Sequence, residues 1–269
     1  MNPRVEIPYK QNACLSVRLF VSVFMFFGYM ASPTQATFGQ SQPEGARILA
    51  IHLKGRLDED PESGYNKLAK AVIPAAMYQN MYQRYPFARA VRDFKKAKRV
   101  CLFPTSQSAL NLLYPDTNIS VLESDAIDTV SAHLISSTLG TPFSNFEELE
   151  EKTIAAQHAV GVPNILSERY GVKVIRTPDD LSALRMVLAG HVDAMYGWLP
   201  DIFIIAKQNN LPRPSFDPDF VLYQTTTHFV CKRFYGHEVI IDTINRNLKL
   251  MKKSGALREI LGKHARIAK

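Results

Sequence analysis

The sequence is short of the features that mark specialised chains. Only three cysteines occur in 269 residues, at positions 14, 101 and 231, and there is no CxxC and no Cys/His cluster. That excludes a disulfide-dense scaffold and a structural zinc site of ordinary spacing. Tryptophan occurs once, as Trp198. The apolar run at 19–31, LFVSVFMFFGYMA, has 13 residues, short of the roughly 20 that span a bilayer as a helix. There is no GxSxG elbow, no HExxH, no Walker glycine loop and no histidine pair at metal spacing, so no enzyme and no cofactor or metal is expected. Acidic residues are in deficit, with Lys plus Arg at 32 against Asp plus Glu at 25 and a net charge of +7. The basic run Lys95-Lys96-Ala97-Lys98-Arg99 reads as the solvated face of one helix, and nucleic acid is not an expected partner.

What is present is an ordinary globular composition, 46% apolar, 21% charged and 10% aromatic, long enough for two domains around sizeable cores. Residues 1–36 read as a cleavable signal peptide. Arg4, Lys10 and Arg18 precede the apolar run, and Thr34-Gln35-Ala36 offers small residues at the peptidase positions, with cleavage after Ala36. A buried N-terminal helix is the alternative. Export to the periplasm follows from the first reading, and Cys14 lies where no lipoprotein processing would use it.

Beyond residue 36 the pattern is α/β. RILAIHL at 47–53 reads as a strand followed by the polar turn LKGRLDEDPESG. Tyr65, Leu68, Ala69 and Val72 mark a helix that Pro74 ends. Residues 87–98 form an amphipathic helix, and 99–104 an apolar strand fit for burial on both faces. From 153 to 196 the chain alternates strand, helix, strand, helix, strand. Pro163 stands in a first helical turn and Gly171 past a helix end, with Thr177 as an N-cap and Pro178-Asp179-Asp180 opening the next helix. That alternation is the signature of parallel βαβ units. A helix at 199–209, an extended stretch at 220–233 and a C-terminal helix broken near Ser254-Gly255 complete it.

Five stretches in this order carry a resemblance: 47–63 followed by GYNKLAKAVI, the PFARA box at 86–90, FSNFEELEEKTIAAQ at 143–157, LSALRMVLAGHVDAMYG at 181–197, and INRNLKLMKKSGALREILGKH at 244–264. The chain resembles the type II periplasmic solute-binding proteins, family 3, whose amino-acid-binding members are the best known. The resemblance implies two doubly wound α/β lobes joined by two crossover segments. The first lobe would be 37–140 plus 225–269 and the second 141–224. It also implies a monomer that holds a small-molecule ligand between the lobes, for an ABC-type membrane permease or for a membrane sensor.

On that pattern Arg89, in the PFARA box, would face the cleft as an anion-binding guanidinium or stay solvated. Thr105 and Ser106 end a strand where hydroxyls bond a ligand or cap the next helix. His158 and Gly161 lie in the loop entering the helix at 162, whose free amides suit an anion. Trp198 would stack on the ligand or fill the core. Two family anchors are missing. No arginine occurs from residue 100 to 168, so the usual carboxylate clamp is absent from 107–111. Trp198 holds the position of the usual amine-binding acid, and the carboxylate pairs Glu147-Glu148 and Asp179-Asp180 read as helix-start charges. A small polar or anionic solute, rather than an α-amino acid, is therefore expected. The family's sheet order also places Cys101 beside Cys231, either bridged or, as the expectation has it, as two buried free thiols.

Overall fold

The computed structural model describes residues 46–113, 119–137, 140–158 and 161–268, so the expected signal segment 1–36 lies outside them. The first sheet is built from β1 (Arg47–Ile51), β2 (Tyr82–Tyr85), β3 (Val100–Thr105), β4 (Val121–Glu123) and β10 (His228–Lys232), in the order β2-β1-β3-β10-β4. Its β1, β2 and β3 run parallel, and β10 runs antiparallel to β3 and β4. Successive side chains of a strand point to opposite faces, and both faces are buried here. Ile48, Ala50, Cys101 and Phe103 pack under α1 (Gly64–Val72), α8 (His237–Ser254) and α9 (Ala256–Leu261), while Leu49, Ile51, Val100 and Leu102 pack against α3 (Phe87–Lys96). The aromatic stretch before α3 resolves into α2 (Ala75–Met81) and β2.

The second sheet, in the order β11-β5-β8-β6-β7, combines parallel β6 (Thr153–Gln157), β7 (Lys173–Thr177) and β8 (Ala194–Leu199) with antiparallel β5 (Asp128–Ile135). Strands β9 (Tyr223–Thr226) and β11 (Arg266–Ile267) both pair with β5. The same alternation buries Leu134, Ile154 and Tyr196 with α5 (Val162–Tyr170), and Ile135, Ala155 and Met195 with α6 (Asp180–Leu188) and α7 (Asp201–Gln208). Each buried large side chain contributes about 1.5–3 kcal/mol, so each sheet carries its own core. The chain crosses between sheets at 124–127 and at Thr227. Strand β5, within the residues assigned above to the first lobe, is hydrogen-bonded into the second sheet. Its partners lie about 60 to 95 residues downstream in β8 and β9, and no local pattern reveals such pairing.

Two local expectations change. Cys101 and Cys231 stand directly opposite each other in the β3/β10 register and form a disulfide with S–S 1.99 Å, not two free thiols. The cap of α6 is Asp179 rather than Thr177. Its Oδ1 accepts the Ser182 N–H at 2.7 Å, while Thr177 remains in β7 and donates its hydroxyl to the Asp179 carbonyl.

Candidate functional site

The turn that leaves β1 sets one wall of the site. Leu53 and Leu57 exchange backbone hydrogen bonds at 2.8 Å, and Gly55 between them has φ +81°, a conformation natural only to glycine. A Cβ at Gly55 would also lie 2.8 Å from Ile204 and Gln208 of α7, so this turn touches the second sheet's helices directly. The Asp58 carboxylate accepts the Gly55 N–H at 2.7 Å, and Asn66 of α1 donates to the Asp58 and Asp60 carbonyls. Held this way, the turn drives Arg56 inward until it is 3% exposed.

Arg56 is surrounded. Its guanidinium bonds Asp128 of β5 at 2.5 Å and Asp201, the first residue of α7, at 2.9 Å, and it lies over the Tyr65 ring at 3.9 Å. Tyr65 and Thr227 also donate their hydroxyls to Asp128. Burial disfavours the charges of both Arg56 and Asp201. In Arg56 the attraction of Tyr65, Asp201 and Asp128 outweighs it and raises the pKa, whereas in Asp201 burial wins and the carboxyl is pushed up.

In front of this triad lies a cavity of about 120 Å³, walled by both sheets. The first sheet and the helix and loop beside it contribute Pro104, Thr105, Ser106 and Phe87, and the second sheet and the starts of α5 and α6 contribute Tyr196, Trp198, Gly161 and Asp180, with Tyr223 and Thr225 from β9. Tyr196 and Trp198 share one face of β8 by the two-residue period. Ala132 of β5 pairs with Trp198 on one side and with Tyr223 on the other. The small residue between them lets those two rings meet edge-on at 6.0 Å, and Tyr196 meets Trp198 in the same way. Gly197, on the opposite face, admits Ile202, whose Cγ1 would be 2.6 Å from a Cβ there.

Thus Thr105, Ser106, Gly161 and Trp198 come together around one cavity. Ser106 also caps α4 (Gln107–Leu113), accepting the Ala109 N–H at 3.1 Å, and its hydroxyl bonds Thr225 at 2.7 Å across the sheets. Arg89 is exposed, 3.6 Å from Asp93 on its own helix and 5.0 Å from the centre of the Tyr85 ring. His158 is exposed, and neither residue walls the cavity. Outside, a cleft of about 690 Å³ is lined by His52, Glu59, Arg84, Tyr85 and Asp179. Phe87 and Gln157 line both spaces.

Sequence reasoning missed Arg56, Asp180 and Asp201, and also Tyr196, Tyr223 and Thr225. Arg56 sits in an acidic turn that reads as solvated. Asp180 reads as a second helix-start charge, yet Asp179 alone makes the cap and Asp180 faces the cavity. Burial, with Asp201 and Asp179 nearby, pushes the Asp180 carboxyl up to about 7. Tyr196 Oη, on a residue 2% exposed, has no partner among the described residues.

No family model and no curated protein sequence matches the chain. Solved structures do match its shape. A mutant of ArgBP from T. maritima superposes with TM-score 0.62 at 17% identity, over 82% of this chain and 95% of that one. The GluR0 ligand-binding core in complex with L-glutamate gives 0.61 at 14% identity, over 80% and 96%. The substrate-binding protein of an amino acid ABC transporter gives 0.58 at 16% identity, over 82% and 99%. The chain has the two-lobed fold of the type II periplasmic solute-binding proteins.

Proposed function

We propose that this chain is an exported solute-binding protein. It captures a small organic solute in the cavity between its lobes and presents it to an ABC-type membrane permease. The observation that carries the reading is the 120 Å³ cavity itself, since side chains from both sheets surround it and such interlobe cavities are favoured for small molecules. In this reading Thr105, Ser106, Gly161 and Trp198 touch the solute, whereas Arg89 and His158 stand back from it. Closure of the lobes on a solute would report occupancy to the partner. The basic residues, the apolar run and the small-residue site at the N-terminus support export, in this reading to the periplasm.

The sequence points to a polar or anionic solute. Hydroxyls of Thr105, Ser106 and Thr225 support the polar part, but Arg56, the only cation in the wall among the described residues, already serves two carboxylates. That same lack of a free arginine clamp favours a second reading, in which the lobes feed a membrane sensor. Adjacent permease and ATPase genes would support transport, and an adjacent sensor kinase gene the second reading.

Native mass spectrometry of protein purified without refolding tests capture. A retained small molecule that is lost from a Trp198→Ala variant is the expected result. An empty cavity, with no member of a metabolite library raising the melting temperature, would overturn it.

A further inference from the structure

The charges around the cavity do not balance. Among the described residues Arg56 is the one cationic side chain in its wall, and Asp128 and Asp201 hold it on two sides at 2.5 and 2.9 Å. Asp180 adds a third carboxyl to the same space. No described residue donates a hydrogen bond to it, because the capping bond belongs to Asp179. Beside it Tyr196 Oη is buried and also without a partner among the described residues. Buried polar groups in folded proteins are nearly always satisfied, so a buried phenol without a partner, with a half-buried carboxyl lining the same cavity, points to something bound.

The rings narrow the choice. Tyr196, Trp198 and Tyr223 form a continuous aromatic side to the cavity, and ring faces attract organic cations. Size narrows it further, since about 120 Å³ is a little less than the 150 Å³ cavity that accommodates benzene. One feature of the wall favours an acceptor, the start of α5 at Gly161 and Val162. A helix N-terminus supplies only about half a positive charge, and Pro163 removes one of its donors. That is less than the excess negative charge opposite it.

We infer that the captured solute is a small organic monocation, an alkyl- or arylammonium without a carboxylate, its ammonium held by Asp180 and Tyr196 Oη and its apolar body against Trp198 and Tyr223. An ammonium has three donors and no acceptor, which matches a carboxylate and a phenol oxygen that nothing else serves. A carboxylate on the solute would face Asp180 with no free arginine to receive it. The inference rests on the solute-capture reading and gives it a chemical class.

Calorimetric titration at pH 8 tests it with three matched pairs of probes: benzylammonium and butylammonium, benzoate and valerate, phenylglycine and norvaline. The ammonium probes should bind at least tenfold more tightly than their carboxylate and amino-acid counterparts. Asp180→Asn, close in shape to the native residue, should weaken them at least tenfold, Asp180→Glu should restore part of the loss, and Trp198→Ala should weaken them again. Unfolding melts confirm that each variant is folded. Equal affinity for ammonium and carboxylate probes, or ammonium binding unmoved by Asp180→Asn, overturns the inference. Binding of carboxylates or amino acids alone overturns the class and leaves capture standing. Binding of none of the six also overturns the class, and an empty native mass spectrum in addition removes the capture reading.

Discussion

Two acidic corners share one cavity and are built in opposite ways. At the deep corner Asp128 and Asp201 flank Arg56, and Tyr65 and Thr227 donate to Asp128, so each charge has a partner of opposite sign and directed hydrogen bonds. At the side corner Asp180 has neither an ion pair nor a donor among the described residues, and Asp201 repels it. The first arrangement joins the turn after β1 to β5 and α7, and so ties one sheet's loop to the other sheet. The second leaves a carboxyl and a phenol facing open space. Buried charge that is fully matched belongs to architecture, because its desolvation cost is offset inside the protein. A half-buried carboxyl without a counter-charge carries a desolvation cost that nothing in the chain offsets, and such perturbed groups gather at functional sites.

The largest effect follows from breaking the deep corner. Arg56→Met removes the cation and strands two buried carboxylates, and it should cost about 3–5 kcal/mol, the range for removing one member of a buried ion pair. Urea unfolding measures it, and a loss under about 1 kcal/mol would mean that the triad does not hold the lobes together. Asp201→Asn should cost less, about 1–3 kcal/mol. It leaves Asp128 to neutralise Arg56 and an amide oxygen to accept its hydrogen bond. The two variants therefore rank the corner's contacts, with the cation above either acid.

The sequence foretold the corners unequally, and the reason is distance along the chain. The run from β7 to β8 was legible because its signals are local. Gly171 and Gly190 adopt φ +68° and +73° where helices end, and an acidic N-cap opens α6, two residues later than expected. Strand β3 was legible from its unbroken apolar content. Trp198, Thr105, Ser106 and Gly161 were placed near strand ends and a helix start, which is where an open α/β fold gathers its cavity. Arg56 was invisible. Its partners are 72 and 145 residues away, and an arginine among acids in a turn looks the same whether solvated or buried. Asp179 and Asp180 are adjacent and alike in sequence, and only the turn of the helix sends one to the cap and the other to the cavity. The stretch 220–233 read as one extended segment because nothing local shows that Thr227 divides β9 in one sheet from β10 in the other.

The smallest effect sharpens the contrast, and it comes from pH. The Asp180 carboxyl titrates near 7 in the folded chain and near 3.9 when unfolded. Folding therefore takes up a proton between those values, and the stability this contributes falls as pH rises across that window. This contribution is fully present below about pH 4 and is lost as pH rises through 7. Asp180→Asn cannot ionise, so it should melt higher than the native chain at pH 8 and show no such advantage at pH 4. The full rise from about 3.9 to about 7 corresponds to about 4 kcal/mol, and solvent screening of this half-buried carboxyl reduces the difference at pH 8 to about 1 kcal/mol, or about 2–4 °C in a chain of this size. The groups facing Asp180 are Asp179 on its own helix, Asp201 on α7 and Tyr196 on β8, and Arg56 reaches it only through Asp201. None of them supplies a positive charge that would cancel the effect. An ammonium solute reverses the native chain's disadvantage, because it binds the ionised carboxylate and displaces the proton. Benzylammonium should accordingly raise the native melting temperature more at pH 8 than at pH 6, with little effect on Asp180→Asn at either pH. A benzylammonium shift that is independent of pH, or present equally in the variant, would place the cation elsewhere than at this corner.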